Sequence, residues 1–296
     1  MTGVDLSSDL TVLEESVQRA LDTLDVSGLA VLGYGEISLV LGWPREVPEY
    51  ACKRLPLFPN RESLERYSAV VRRYIDRLRE AGVKVVESTL HDLPRPDGRI
   101  VAYLVQTALP KDVMGPAQLS GADPADGHPI IGAIFDHVVN VASPTLALDE
   151  QLANWGWVDG EAIQIDVTTP FMRDATGADE LDFDLFTAAL PWLMRLPVKS
   201  FVVRGVLNNF HEPRSAIIDF LGNLEKERLD AWLPYAIAEA NERVSPTITR
   251  AEVDKAYAAD ARVWETLLRL RRADRVWQRK VRRRQYPFLL PPKIER

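Results

Sequence analysis

Apolar residues recur at helical spacing through residues 10–24, where Leu10, Leu13, Val17, Leu21 and Leu24 form one stripe and Ser8 or Asp9 stands in place to cap it. The pattern then changes period. Residues 28–32, 39–43 and 49–55 read as three strands, the first two joined by Gly33-Tyr34-Gly35-Glu36-Ile37-Ser38. Residues 61–82 return to a period of 3.6, with Leu64, Tyr67, Val71, Tyr74, Ile75 and Leu78 on one face and Gly82 as the stop. Two further strands are expected over 83–89 and 99–107, across a turn-rich stretch from Asp92 to Gly98. The sum is a five-stranded antiparallel sheet with one main helix. A buried helix over 130–141 follows, and then a loop leading to strand-like 155–158, the dipeptide Asp159-Gly160, and strand-like 162–167. Asp-Gly between two such runs is a strong hairpin signal, because the tight turn needs positive φ at both central residues. The remainder reads as helical, over 183–196 (interrupted by Pro191), 200–209, 214–221, 226–244 and 251–270.

Composition narrows the class. With 296 residues, 46% hydrophobic and 27% charged, the chain can bury a sizeable core. A net charge of -7 argues against a protein that coats nucleic acid with its whole surface. The single cysteine, Cys52, leaves no internal disulfide and no cysteine-based zinc site. No apolar run approaches the ~20 residues that span a bilayer, and the acidic N-terminus is unlike a signal peptide. The expected compartment is the cytoplasm.

The hairpin sets the chemistry. Asn154 lies just before its first strand and Asp166 at the far end of its second, so an amide oxygen and a carboxylate converge. Such a pair suits Mg²⁺, which takes oxygen ligands and keeps several waters. Asp149 stands five residues before Asn154. Upstream, a glycine-rich turn carrying Gly33 and Gly35 lets backbone N–H groups approach phosphate oxygens. Alternation along 49–55 points Ala51 and Lys53 to one face and Cys52 to the other.

In this order the motifs resemble the protein-kinase-like fold, in its aminoglycoside-phosphotransferase and choline-kinase-like branch. The resemblance covers residues 28–170 and implies a bilobal α+β fold. Residues 1–108 form the N-lobe, and 109–296 a mostly helical C-lobe. It implies ATP and Mg²⁺ as cofactors and assigns roles by position. Gly33 and Gly35 shape a lid over the triphosphate, Lys53 binds the α- and β-phosphates, and Gln106 and Ala108 lie in the hinge that meets the adenine edge. Asn154 and Asp166 hold the metal, and Asp149 accepts or orients the proton of an acceptor hydroxyl. The sequence departs from the family at Ser38 (third glycine), Ala147 (a histidine) and Val167-Thr168 (Phe-Gly after the metal aspartate). The helix glutamate that pairs with the lysine has no counterpart at residues 70–74, and Glu65 is the substitute if the helix is shifted. Two functions follow: a phosphotransferase acting on a small molecule, or a kinase-like pseudoenzyme that works as a nucleotide-binding or interaction module.

The tail is of another kind. Residues 269–284 hold nine Lys and Arg against one acid, Asp274, with Val276, Trp277 and Val281 interspersed. Such a helix either packs on an acidic body or contacts an acidic partner, an anionic membrane surface or nucleic acid, the last the least expected.

Overall fold

The computed structural model describes residues 6–34, 39–183, 185, 204–286 and 288–289. The expected helix over 183–196, as well as Gly35 and Ser38, therefore lies mostly or wholly outside the described residues. The architecture is α+β: a five-stranded antiparallel sheet followed by a largely helical C-terminal part. The sheet has the order β1 (Val31–Tyr34), β2 (Leu39–Trp43), β3 (Tyr50–Arg54), β6 (Ile100–Thr107), β5 (Ser88–Pro94).

Each face of that sheet is covered because its strands alternate. Cys52 and Arg54 of β3 point to α1 (Leu6–Thr23), which packs its Leu10, Leu13, Val17 and Leu21 stripe against Leu41, Cys52, Val101 and Tyr103. Within this apolar layer Arg54 donates two 2.8 Å hydrogen bonds to Glu14, which also accepts from the Tyr103 hydroxyl at 2.6 Å. Burial alone would raise the Glu14 carboxyl, but Arg54 and Tyr103 hold it below its ordinary value. A fork-on-fork pair of this kind fixes the register of α1 on the sheet. Leu24 leaves the stripe: it sits at φ 63° just past the helix and is 44% exposed.

The other face meets α2 (Arg61–Glu80), capped by Asn60 and burying Leu64, Tyr67, Val71, Tyr74, Ile75 and Leu78. Gly82, at φ 83°, reverses the chain after it. The expected single strand over 83–89 is two elements. β4 (Lys84–Val85) leaves the main sheet and pairs in parallel with β8 (Glu161–Gln164), which pairs antiparallel with β7 (Trp155–Val158). β5 takes the rest and runs on to Pro94, absorbing residues assigned to the turn. The core against α2 is shared: one cluster runs from Leu55 and Leu64 through α4 (Pro129–Val141) to Val253, across residue 108.

Among the described residues, the helical part comprises the short α3 (Gly115–Ser120), α4, α5 (Arg204–Phe210), α6 (Pro213–Lys226), α7 (Leu233–Asn241) and α8 (Arg250–Lys280). The helix expected over 226–244 starts later, because Glu227 ends α6 and Arg228 takes φ 62°. His211 and Glu212 are structural: His211 Nδ1 meets the Ser143 carbonyl at 2.7 Å, and Glu212 caps α6. α8 continues ten residues past its expected end, to Lys280. It packs on α6 and brings Arg279 to the carbonyls of Leu21 and Asp22, at 2.8 and 2.7 Å. These are the last carbonyls of α1, whose final turn carries no cation of its own, so the guanidinium satisfies a helix C-terminus. Among the described residues, no helix is long and apolar enough to cross a membrane.

Candidate functional site

Lys53, Asp149, Asn154 and Asp166 come together where the five-stranded sheet, the three-stranded sheet and α2 meet. The hairpin turn has the required conformation, with φ 53° at Asp159 and 81° at Gly160. Its register pairs Trp155 with Gln164, and the Ile165 N–H continues the ladder to the Asn154 carbonyl at 2.8 Å. Asn154 and Asp166 are thereby neighbours. β4 binds the hairpin's second strand from the other side, and Val86 N–H donates to the Gln164 carbonyl at 3.0 Å.

Gln106 closes this arrangement. Its buried amide donates to the Ile165 carbonyl at 2.7 Å and to Ser88 Oγ at 2.9 Å, tying the sheet to the residue before Asp166. The Ala108 N–H donates to the Glu49 carbonyl at 2.9 Å, so in this structure it does not offer a free donor to an adenine edge. Gly33 pairs with Val40 beside an irregularity in the β1–β2 ladder, and a Cβ built there meets nothing within 4 Å. Packing of the described residues therefore does not demand glycine at 33, and the space beside it is open.

Lys53 Nζ donates to Asp166 Oδ2 at 2.5 Å, with both side chains largely buried. Asp166 Oδ1 accepts from the Thr168 N–H at 2.9 Å and its hydroxyl at 2.7 Å. Burial alone would push the Asp166 carboxyl up, but Lys53 and Thr168 together bring it below its ordinary value. Thr168, one of the residues where the sequence departs from Phe-Gly, is therefore a direct partner of Asp166. Asp149 behaves oppositely. Burial first, and then the charge of Asp166, push its carboxyl up to about 7, although the Gln151 N–H and the Asn154 amide both donate to it.

The α2 face turned to the site carries phenols where an acid was sought. Glu65 is exposed, as are Glu62, Asp76 and Glu80, so Lys53 takes Asp166 instead of a partner on α2. Tyr74 donates to the Ala147 carbonyl at 3.0 Å, two residues before Asp149, and Tyr67 donates to the Thr168 carbonyl at 2.8 Å, two residues after Asp166. The pair clamps both loops to one helix. Ala147 is fully buried, and its N–H donates to the Phe171 carbonyl at 2.9 Å. Replacing Tyr74 with Phe should cost about 1–2 kcal/mol by orphaning that buried carbonyl. Urea unfolding measures the loss.

Trp155 holds Asp149 from below. Its ring is fully buried and stacked on His137 at 5.5 Å, and its indole N–H donates to the Asp149 carbonyl at 2.9 Å. Trp155→Ala should destabilise the protein by roughly 3–5 kcal/mol. Trp155→Phe keeps most of the packing and loses mainly that hydrogen bond, about 1 kcal/mol, so the two variants separate volume from polarity in the same titration.

Three acids near the loop escaped the reading of the sequence. Glu227, at the end of α6, accepts the Ala153 N–H inside the turn that carries Asn154, and burial pushes its carboxyl up to about 7. Glu150 is fully buried, and no donor among the described residues reaches either oxygen. Burial first, and then Asp219 facing it, raise its carboxyl well above the ordinary range. A proton retained on Glu150 relieves that repulsion. Arg173, seven residues past Asp166, bonds Asp179 at 2.8 Å and the Asn208 side chain at 2.7 Å.

The donor set fits a small hard cation. Asp166 brings a carboxylate held below its ordinary value, the Asn154 amide adds an oxygen, and no soft ligand intrudes. Among the described residues, no three His, Cys, Asp or Glu side chains form a metal cluster by themselves. One carboxylate and one amide leave most of the coordination to water or substrate oxygens, as Mg²⁺ prefers.

A family model matches residues 12–275, nearly the whole chain. The chain belongs to DUF6206, a family of unknown function. No curated protein matches this DUF6206 chain. Among solved structures it is similar to one described as WaaP in complex with acyl carrier protein, at 17% identity over 70% of this chain and 89% of that one, with a TM-score of 0.33. A superposition that loose transfers neither fold nor chemistry, and the reading of this DUF6206 chain rests on its own residues.

Proposed function

We propose that the chain is an ATP-dependent phosphotransferase of the kinase-like kind, moving the γ-phosphate to a hydroxyl of a small molecule. The observation that carries this reading is the convergence of Lys53, Asp149, Asn154 and Asp166 from three separate elements onto one point, in the order and polarity such a transfer needs. Asn154 and Asp166 would hold Mg²⁺, which when bound supplies charge neutralisation on the phosphate oxygens. Lys53 exchanges Asp166 for the phosphates of the nucleotide. Gly33 lies by the open space over which the phosphates would pass. Asp149, seated by Trp155, Gln151 and Asn154, orients the acceptor hydroxyl and takes its proton.

A pseudoenzyme that binds nucleotide, or presents this scaffold to a partner, is favoured by one observation: every acid on α2 is exposed, and Lys53 is already paired with Asp166. Thermal unfolding with ATP and Mg²⁺ tests the common part of both readings. Ligand at 100 times its dissociation constant stabilises by about 2.7 kcal/mol, several degrees for a protein of this size. ADP release on addition of hydroxyl-bearing metabolites then separates enzyme from pseudoenzyme. An unmoved melting temperature at millimolar ATP and Mg²⁺ contradicts both.

A further inference from the structure

We propose that the outer face at the C-terminal end of α8 docks on an anionic membrane surface. Among the described residues, eight large hydrophobic side chains stand exposed, and three of them, Val276, Trp277 and Val281, fall within six residues of this end. Each is more than half exposed, and Trp277 is the only aromatic of the eight. Helical spacing places Arg269, Ala273, Val276, Trp277 and Lys280 on the solvent side, with Val281 and Arg284 just beyond the last turn.

The cations here divide by task. Arg271 is buried, Arg279 caps α1, and Arg269 pairs with Glu265 one turn back. Lys280, Arg282, Arg283 and Arg284 are exposed, and no acidic side chain among the described residues pairs with them. Four cations therefore surround an indole and two valines, on a chain whose net charge is -7. Self-docking explains Arg279 and Gln285, which grip α1, but not the exposed Val276, Trp277 and Val281 or the exposed cations beside them.

An anionic bilayer matches both halves of the surface. Headgroup phosphates answer the cations, and the acyl boundary takes the valines and the ring, with the indole N–H left in the headgroup layer. Nucleic acid would use the cations and could stack one base on Trp277, but it offers nothing to Val276 and Val281. The anchoring of Arg279 on α1 holds the helix end rigid, so a bound membrane would lie at a fixed orientation to the rest of the chain. None of these side chains belongs to the Lys53–Asp166 site, and membrane binding needs no nucleotide.

The test is co-sedimentation of the full chain with sucrose-loaded vesicles of phosphatidylcholine, with and without phosphatidylglycerol. The expected result is binding that requires the anionic lipid. It should fall about tenfold in Lys280→Glu/Arg284→Glu and about tenfold in Trp277→Ser/Val281→Ser, with melting temperatures unchanged because all four positions are exposed. It should also weaken about tenfold between roughly 0.1 and 0.5 M NaCl. As a second measurement on unaltered surface charge, brominated lipids should quench the wild type more than Trp277→Phe. Equal binding to neutral vesicles, no binding to anionic ones, or quenching unchanged in Trp277→Phe overturns the proposal. Binding of duplex DNA in place of vesicles overturns it too and reassigns the surface to nucleic acid.

Discussion

Asp149→Asn is expected to lower turnover by about 10²–10⁴ while leaving ATP affinity within a few-fold of the wild type. The asparagine still accepts the Gln151 N–H, so the loop keeps its shape, but it cannot take a proton. The same residue sets the pH dependence. Burial and the neighbouring Asp166 charge push the Asp149 carboxyl up to about 7, so in the free protein it is largely protonated below that pH and idle as a base. kcat/KM should rise through pH 7 and level off above it. In the loaded complex the cation lowers that carboxyl again, so the limb in kcat should lie at lower pH. Stability carries the opposite sign. Between the unfolded value near 4 and about 7 the unfolded chain ionises and the folded one does not, so stability falls as pH rises across that window. Denaturant titrations at pH 5 and pH 8 should show a smaller loss in Asp149→Asn than in the wild type.

Lys53→Ala should have the second large effect. It removes the phosphate contact, for which a 10–100-fold loss of ATP affinity is expected, and it leaves the Asp166 carboxylate without its cation. Orphaning a buried partner costs about 3–5 kcal/mol in full burial. Asp166 retains 22% side-chain exposure and its two Thr168 hydrogen bonds, so about 2 kcal/mol is the expected figure here. The diagnostic is rescue. If Asp166 is a metal ligand, millimolar Mg²⁺ should restore part of the lost stability in Lys53→Ala and do less for the wild type, where Lys53 competes. Thermal unfolding across a Mg²⁺ series measures this, and equal shifts in the two proteins would place the cation elsewhere.

Local patterns carried much of this site. The Asp159-Gly160 dipeptide gave the hairpin, and the hairpin's period of two gave the meeting of Asn154 with Ile165 and Asp166. Alternation along β3 separated Lys53 from Cys52, as the structure has them. The α2 stripe was also legible, but its Tyr67 and Tyr74 were counted as apolar bulk, and their hydroxyls turn out to tether both loops of the site. Periodicity shows which side a residue faces. It does not show which polar atom awaits there.

Pairings between distant segments were the part that stayed hidden. β4 is two residues long and finds its partner at Ile163 and Gln164, beyond the reach of any local signal. The Lys53–Asp166 contact closes 113 residues of chain, and Arg54–Glu14 closes 40. The expectation of a helix glutamate came from resemblance, and the exposed side of α2 is where its acids went. Nothing in the local pattern marks Glu150 and Glu227, because only tertiary burial raises their carboxyls. The late end of α8 has a similar origin, since its last turns are held by the capping of α1 by Arg279, a contact invisible to helical propensity.

Lys53, Asn154 and Asp166 are proposed to make a metal-dependent nucleotide site. Calorimetric titration of ATP into the wild type and Asp166→Asn, each with and without Mg²⁺, tests it most directly. Binding in the wild type should tighten at least tenfold with Mg²⁺, and in Asp166→Asn that metal-dependent increment should be gone. Binding of equal strength in all four titrations, or none in the wild type with Mg²⁺ present, would contradict it.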